Sequence, residues 1–469
     1  MNYQQYTVFD KSVNKRDGRE VFMATDGTDT VIVADQDLQF SGKKTDDGKT
    51  VGPLNRRNAR MLRKHFPFAA PSPVLRKDRS FGLGDRLGIA VYGHIKLFEQ
   101  YDAYPVFAQQ SIRELTLTNR TYEDVLNAAT FAVYREGYKR PWGADGDHLK
   151  TAEDVEYALS LGFTMITLDC SDHIKTGVTP ENAPPVTLAY QEKYLGKTFD
   201  LGEDQSVRFT EGELRQAVAI YGDAIAFAAG IFRRFLKSSA SDADFEISID
   251  ETTEPTTPLQ HYFVARELTD SGVRIATIAP RFCGEFQKGI DYVGNLSQFD
   301  KEIKIHAVIA RHFGYKLSIH SGSDKFSVFP SIGRATRGVF HVKTAGTNWL
   351  EAMRAVAVAD PALYRAVHRF ALSAFPEAAA YYHVTTNLAN IPDIDELKDD
   401  ELPALFNNND ARQLIHITYG LILTRKKPEG AYLFKTRLNA VWRDYATLYR
   451  EALFKHIGKH LDLLGVRHR

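Results

Sequence analysis

The sequence has few cysteines and no long apolar run, and both absences limit what kind of protein it can be. Only Cys170 and Cys283 occur among 469 residues, so no disulfide framework is available and a reducing, cytoplasmic compartment is expected. No apolar run reaches the roughly 18 residues that a transmembrane helix needs. Residues 1–20 also lack the apolar core of a signal peptide. We therefore expect no membrane partner.

An excess of charge of either sign is also lacking. Lysine plus arginine and aspartate plus glutamate both total 59, so the formal net charge is zero. Proteins that bind nucleic acid generally show a basic excess, so no nucleic-acid partner is expected. The chain is too long for one simple core, which favours a large domain with insertions or two domains.

From about residue 79, short apolar segments alternate with longer helical patterns. The candidate strands are 80–83, 104–108, 140–144, 163–169, 245–250, 274–278, 316–320 and 339–343, with 381–385 as a ninth candidate. The helical patterns between them are 93–101, 122–136, 152–161, 211–236, 259–268 and 302–312. Such alternation predicts βα units and a parallel sheet, and eight units indicate a (β/α)8 TIM-type barrel, an α/β fold.

The segments outside this repeat define the expected domain organisation. Residues 1–78 contain strand-like runs around a turn and a linker rich in proline, which indicates a β-rich N-terminal module. The catalytic barrel is predicted over 79–386, and 387–469 reads as a C-terminal helical extension. Within the barrel, 174–210 is a long segment with proline and glycine, so it is a candidate lid.

The stretch GADGDHLK places Asp147 beside His148, after a short apolar run and before a helical pattern. Adjacent side chains of a strand point to opposite faces, but both could reach one cavity where the strand ends and the backbone turns. A metal-binding histidine beside a carboxylate that moves protons is one reason to keep such a pair. The alternative is that Asp147 caps the following helix and His148 lies on the surface.

Three histidines fall at the ends of different predicted strands: His148, His320 and His341. Catalytic groups of barrel enzymes lie at the carboxyl ends of the strands, so these imidazoles are expected to meet there. Three imidazoles with nearby carboxylates suit a divalent ion such as Zn, Mn, Co, Ni or Fe. The dispersed spacing is a weaker signal than a local metal-binding motif.

Other polar residues follow the same strands. Asp250 and Glu251 end one strand, and the turn after His320 could present backbone N–H groups and a lysine to an anionic oxygen. We expect six side chains to bind the substrate: Gln109, Arg113, Asp169, Ser321, Lys325 and Lys343. Residues 82–88 resemble a dinucleotide fingerprint, but the glycine spacing is one residue too long, so no nicotinamide site is expected.

Several long blocks of the sequence resemble the tagaturonate epimerase family, and they cover roughly residues 71–355. They are PSPVLRKDRSFGLGDRLGIA, FAQQSIRELTLTNRTY, GADGDHLKT, TMITLDCSDHI, SIDETTEPTTPLQHYFVARELTD, APRFCGEFQKGIDY, HFGYKLSIHSGSDKFSVFP and FHVKTAGTNWLEA. The resemblance implies a metal-dependent (β/α)8 barrel that interconverts D-tagaturonate and D-fructuronate in hexuronate catabolism. The first 60 residues show no clear match.

The implied reaction inverts a carbon that is β to the ketone, so simple enolisation cannot acidify its C–H bond. Hydride removal and return would need a nicotinamide, for which the sequence offers no credible site. Retro-aldol cleavage followed by re-addition to the other face of the aldehyde remains. That route requires a Lewis acid and a group that moves the proton of the reacting hydroxyl.

The site is also similar to that of class II metal-dependent aldolases, which pair a proton-shuttling aspartate with an adjacent metal-binding histidine. This similarity implies that Asp147 is the proton shuttle and that His148, His320 and His341 bind the metal. It leaves Glu251 as the second acid/base group, and the two carboxylates could exchange roles.

Three other functions are compatible with the pattern. A class II-type aldolase acting on a sugar acid would release its fragments, and a non-catalytic barrel would bind a sugar acid without converting it. A ketose isomerase of the xylose-isomerase type would use ligands richer in carboxylate than the histidines proposed here.

Overall fold

The first part of the chain forms an antiparallel sheet followed by one helix. The structure, a computed structural model, describes residues 5–238 and 242–469. The elements are β1 (Thr7–Val8), β2 (Asn14–Arg16), β3 (Arg19–Thr25), β4 (Thr30–Asp35), β5 (Lys43–Lys44), β6 (Lys49–Pro53) and α1 (Arg56–His65). The sheet order is β1-β3-β4-β6-β5, with β2 paired to β3, so the predicted β-rich module is present.

Eight parallel strands form a closed barrel after this module. They are β7 (Arg79–Leu83), β8 (Tyr104–Ser111), β9 (Gly143–Leu149), β10 (Met165–Asp169), β13 (Asp244–Ile249), β14 (Thr277–Pro280), β15 (Lys316–Ile319) and β16 (Phe340–Thr344). Between β10 and β13, β11 (Phe199–Gly202) and β12 (Gln205–Val207) make a separate hairpin. Pairing of β16 with β7 and of β9 with β10 closes the ring, which confirms the predicted TIM-type fold.

Helices follow most of the barrel strands and cover their outer face. They are α2 (Val91–Gln100), α3 (Ile112–Thr118), α4 (Tyr122–Arg135), α5 (Ala152–Leu161), α6 (Leu188–Tyr194), α7 (Glu211–Ile231), α8 (Pro258–Asp270), α9 (Leu296–Phe313), α10 (Phe329–Ala335) and α11 (Gly346–Ala359). Threonines at 121, 210 and 257 begin α4, α7 and α8 with capping boxes, which satisfy the free N–H groups of the first turn. In the described residues, no helix is both long and apolar enough to cross a bilayer.

The C-terminal part of the chain is helical, as predicted, and packs against the barrel. It contains α12 (Pro361–Ala379), α13 (Asn409–Ile417), α14 (Tyr419–Thr424), α15 (Lys435–Asp444) and α16 (Ala446–Leu463). Helix α16 approaches α2 closely at Gly93, where a Cβ atom would lie 3.0 Å from a methyl carbon of Leu453. Trp349 and Trp442 are buried in a second core between these helices and α11.

Three details of the fold differ from the sequence prediction. The strand predicted at 140–144 runs instead from Gly143 to Leu149. Its two glycines weaken the strand pattern in the sequence, but in the structure they allow close packing. A Cβ on Gly143 would meet Val74 at 2.8 Å. The ninth candidate, 381–385, is not a strand. The segment 174–210 contains α6 and the β11–β12 hairpin, and its closure as a lid stays a prediction.

Candidate active site

A β-bulge in β9 turns Asp147 and His148 into the same cleft at the carboxyl end of the barrel. Ile166 of β10 pairs with Gly146, but Leu168 pairs with Leu149, so β9 contains one extra residue between these two pairs. His148 has a φ of +55°, a left-handed conformation that is costly for a residue other than glycine. Bulges commonly re-aim side chains next to active sites, and here both adjacent side chains line the cleft.

The alternative that Asp147 caps α5 is wrong. The N-cap is Thr151, whose hydroxyl accepts a hydrogen bond from the backbone N–H of Asp154. Asp147 is buried four residues earlier, inside the strand. Its carboxylate is therefore available for the cleft.

A buried lysine lies among three carboxylates at the floor of the cleft. Lys343 Nζ is 2.7 Å from Asp145, 3.3 Å from Glu246 and ion-paired with Asp147, and it donates a 2.8 Å hydrogen bond to Thr167. All three carboxylates are nearly inaccessible to solvent. Their charge holds Lys343 in place, so its ammonium is already neutralised before any substrate carboxylate arrives.

The two aspartates of β9 that contact Lys343 have pKa values shifted in opposite directions. Burial alone would raise the pKa of both carboxyl groups. At Asp147, the Lys343 ammonium together with the His148 and His320 rings outweighs burial and holds the pKa below the usual value, whereas burial raises the pKa of Asp145 to about 7. Asp147, which lines the cleft, is therefore an ionised carboxylate at neutral pH and can accept a proton from a substrate hydroxyl.

His148 and His320 lie together above this floor, with ring centroids 5.0 Å apart. His320 Nε2 is 2.7 Å from Glu246, and its Nδ1 is 2.9 Å from Asp250. His148 Nδ1 is 3.4 Å from Asp169, whose other oxygen accepts a backbone hydrogen bond, and Asp169 does not line the cleft. The sequence predicted that Asp169 binds the substrate, but in the structure its carboxylate orients the His148 ring instead.

The residues around the two imidazoles are of the chemical types that bind a divalent cation. Nδ1 of His320 faces the Asp250 carboxylate, and Asp147, which is ion-paired with Lys343, lines the same cleft. Burial would lower the pKa of His320, but Asp250 and Glu246 raise it to about 10. A site that favours positive charge on an imidazole also favours a metal ion, and imidazole with carboxylate is a common donor set.

His341 does not join the other two histidines. It is fully buried in the barrel, its Nδ1 is 2.9 Å from the Ser80 hydroxyl, and it does not line the cleft. Burial lowers its pKa to about 3, so the ring is neutral. The strand alternation correctly placed His341 and Lys343 on the same inward face, but His341 lies two residues deeper than the cleft floor.

Glu251 and Arg113 lie at the rim of the cleft, each about 40% exposed, with 3.6 Å between their charged atoms. The Arg113 guanidinium also faces the Tyr382 ring at 5.4 Å. Gln109 is buried deeper, where its amide nitrogen donates to the backbone carbonyl of Thr344 and its oxygen meets no hydrogen-bond partner among the described residues. These three predicted residues line the cleft, so they remain candidates for substrate contacts.

Ser321 lines the cleft, but Lys325 does not. The Ser321 hydroxyl accepts a 3.0 Å hydrogen bond from Lys288. The Lys325 ammonium is completely buried and donates to the backbone carbonyls of Gln287, Ile290 and Ser323 at 2.6–2.9 Å. Lys325 therefore holds the backbone together and cannot reach a ligand in the cleft.

Several residues of the site had not been predicted. Asp145 and Glu246 share an inward face with Asp147 and Asp250, so the period-two alternation in GADGD and FEISID contained the signal. No local pattern pointed to the remaining cleft residues, because they come from distant turns and C-terminal helices: Arg86, Lys288, Tyr382 and His416.

A second cluster of ligand-type side chains lies behind the turn that follows His320. Within the described ranges, Asp324, His456 and His460 are the three such residues whose donor atoms all lie within 4.8 Å of one another. Arg412 already pairs with Asp324 at 2.5 Å, and His460 accepts the backbone N–H of Asp324. These contacts use the lone pairs that a metal would need, so the cluster is an ion-pair network.

The cleft encloses about 660 Å³, including the part open to solvent. An outer cavity of about 1590 Å³, measured in the same way, shares Arg113, Glu251, Lys288 and His320 with it. A buried base, two imidazoles and a rim of charged groups suit proton transfer on a small polar substrate.

Comparisons with known proteins agree over nearly the whole chain. A family model described as tagaturonate epimerase matches residues 9–464. A Thermotoga maritima protein named tagaturonate/fructuronate epimerase is 42% identical, covering 98% of this chain and 97% of its own. The native crystal structure of fructuronate-tagaturonate epimerase UxaE from Cohnella laeviribosi superposes with a TM-score of 0.95 at 47% identity, covering 99% of this chain and 97% of its own. A glycerol complex of that protein gives the same values.

Proposed function

The chain belongs to the tagaturonate epimerase family, and on that premise we propose that it interconverts D-tagaturonate and D-fructuronate with a divalent metal ion, by retro-aldol cleavage and re-addition. The family makes the protein an isomerase of the epimerase type. The observation that carries the mechanism is the placement of one ionised, buried carboxylate, Asp147, beside two converging imidazoles in the cleft.

The position of the inverted carbon favours carbon–carbon cleavage. Because this carbon is β to the ketone, its C–H bond is not acidified by the carbonyl and cannot be removed by simple enolisation. Removing the proton of its hydroxyl instead allows the bond to the α carbon to break, which leaves an aldehyde and an enediolate. Rotation of the aldehyde and re-formation of the bond give the epimer.

Asp147 is proposed as the base that takes the hydroxyl proton and later returns it. Lys343 keeps the carboxylate ionised, and the bulge in β9 aims it into the cleft. After proton transfer, the ammonium of Lys343 loses one of its three anionic partners but keeps Asp145 and Glu246. The charge of the floor therefore changes by one unit while the lysine stays paired.

His148, His320 and Asp250 are proposed to hold the metal ion. When bound, such an ion supplies Lewis-acid stabilisation of the negative charge that develops on the substrate's carbonyl oxygen. Glu246 at the floor contacts His320, Asp169 contacts His148, and these contacts fix the orientation of the rings. His341 is not part of this set, because it lies below the floor.

Glu251 at the rim is proposed as the second acid/base group. Arg113, its ion-pair partner, could release Glu251 when a substrate carboxylate competes for the guanidinium. The side chain of Glu251 is 38% exposed, whereas Asp147 is buried. This difference assigns the base to Asp147 and hydrogen bonding of the other fragment to Glu251.

NMR of the ketose signals tests this proposal directly. Purified protein is incubated with D-tagaturonate, with and without a chelator, and the expected result is D-fructuronate that no longer forms after chelation. Full activity after exhaustive chelation would remove the metal from the mechanism. Steady accumulation of a free aldehyde would indicate an aldolase instead.

A further inference from the structure

Four lysine and arginine side chains of the described residues line the cleft, and three of them are neutralised by carboxylates. Arg86 is 2.7 Å from Glu114, and Arg113 is 3.6 Å from Glu251. Lys343 lies among the three carboxylates of the floor. Each of these cations would have to give up a partner to bind an anion. The fourth is Lys288.

Lys288 has no carboxylate within 4.0 Å in the parts of the chain that the structure describes, 5–238 and 242–469. Its ammonium donates one hydrogen bond, to the Ser321 hydroxyl at 3.0 Å, and Ser321 directly follows His320. An ammonium has three donors, so two remain for a ligand. Lys288 lines both the cleft and the outer cavity, so it lies where the two meet.

The backbone that carries Lys288 is held by buried side chains from distant parts of the chain. Lys325 donates to the carbonyls of Gln287 and Ile290 at 2.8 and 2.6 Å. Arg412 of α13 donates to the carbonyl of Gly289 at 2.6 Å. The side-chain amide of Gln413, next to Arg412, donates to the carbonyl of Lys288 at 3.2 Å. A surface lysine without function would not require such support, whereas a residue that must position one charge does.

We propose that Lys288 binds the carboxylate of the sugar-acid substrate and thereby distinguishes hexuronates from neutral ketohexoses. This inference rests on the proposed function and names the part of the site that selects the substrate class. Lys325 and Arg412 are positioning residues, since they act through the backbone of residues 287–290. The C-terminal helices thus contribute to specificity through the segment that they hold.

The test compares Lys288→Met with the wild-type protein on D-tagaturonate and on D-tagatose, which carries a hydroxymethyl group in place of the carboxylate. Loss of a charged hydrogen bond predicts a KM for D-tagaturonate about 10- to 100-fold higher, with kcat changed much less. The kcat/KM for D-tagatose should stay the same or rise. Lys288→Arg should recover part of the preference, because it keeps the charge.

Lys175→Met is the matched control, because Lys175 is exposed, pairs with Asp223 and does not line the cleft. It should leave both substrates unaffected. An unchanged ratio of the two kcat/KM values in Lys288→Met would overturn the inference while leaving the epimerase intact. If the wild-type protein forms no D-fructuronate, the proposed function fails. In that case, calorimetry compares the binding of D-tagaturonate to the wild-type protein and to Lys288→Met. Weaker binding by Lys288→Met would support the inference, and equal binding would overturn it.

Discussion

At the scale of single residues, the chemistry depends on the carboxylates that surround the ammonium of Lys343. Asp147 and Asp145 lie two residues apart on the same strand, and both contact this ammonium, yet their pKa values move in opposite directions. Burial outweighs the other influences on the pKa of Asp145, whereas attraction to Lys343, His148 and His320 together outweighs burial at Asp147. Lys343 and the two imidazoles therefore favour the ionised form of a base in a place where burial would otherwise protonate it.

Asp147→Asn removes the proposed base and leaves the shape of the side chain. We expect kcat to fall by about 10²- to 10⁴-fold, the usual contribution of general base catalysis. Steady-state kinetics with D-tagaturonate measure the effect. Asp172→Asn, at an exposed aspartate near the rim, is the control and should retain activity. Near-normal turnover of Asp147→Asn would exclude this residue as the proton shuttle.

Alanine substitutions of His148 and His320 test the metal set independently of turnover. Each should lower the amount of divalent metal that the purified protein retains after dialysis, because each removes one imidazole donor. Elemental analysis measures the ratio of metal to protein. His312→Ala, an exposed histidine of α9, should retain the wild-type ratio. Equal metal content in all four proteins would refute the proposed ligands.

At the scale of secondary-structure elements, helix α16 fixes the turn that follows β15. His456 of α16 pairs with Asp324 and lies 3.1 Å from Glu351 of α11, while Arg412 of α13 holds the other oxygen of Asp324. Asp324 lies four residues after His320, so the network connects the C-terminal helices to the proposed metal site. Removing one partner of such a buried network leaves an uncompensated charge.

This network predicts a pH dependence of stability. Burial would lower the pKa of His456, but Asp324 and Glu351 raise it from 6.5 to about 9. A pKa that is raised in the folded state stabilises the protein fully below about pH 6.5, and that stability is lost as the pH rises through about 9. The wild-type free energy of unfolding should therefore fall more steeply over this range than that of His456→Gln. Denaturant titrations at a series of pH values measure both slopes, and parallel curves would contradict the assignment.

At the scale of the whole molecule, the barrel was predictable because its signal is local and repeated. The alternation of strand and helix patterns predicted the fold, and the positions of polar residues at the predicted strand ends pointed to Asp147, His148 and His320. The rest depends on contacts between distant segments. The bulge beside His148 comes from its pairing with β10, and the burial of Lys325 comes from carbonyls 35 and 38 residues away. No local pattern encodes either arrangement.

The central claim is that the epimer forms by breaking and re-forming a carbon–carbon bond. The most direct test uses D-tagaturonate that carries deuterium on the inverting carbon, converted in ordinary water and followed by NMR. The account predicts that the deuterium stays on that carbon in D-fructuronate and that labelled and unlabelled substrates react at nearly equal rates. Loss of the label to solvent, or a large slowing by deuterium, would show that the C–H bond breaks and would contradict retro-aldol epimerisation.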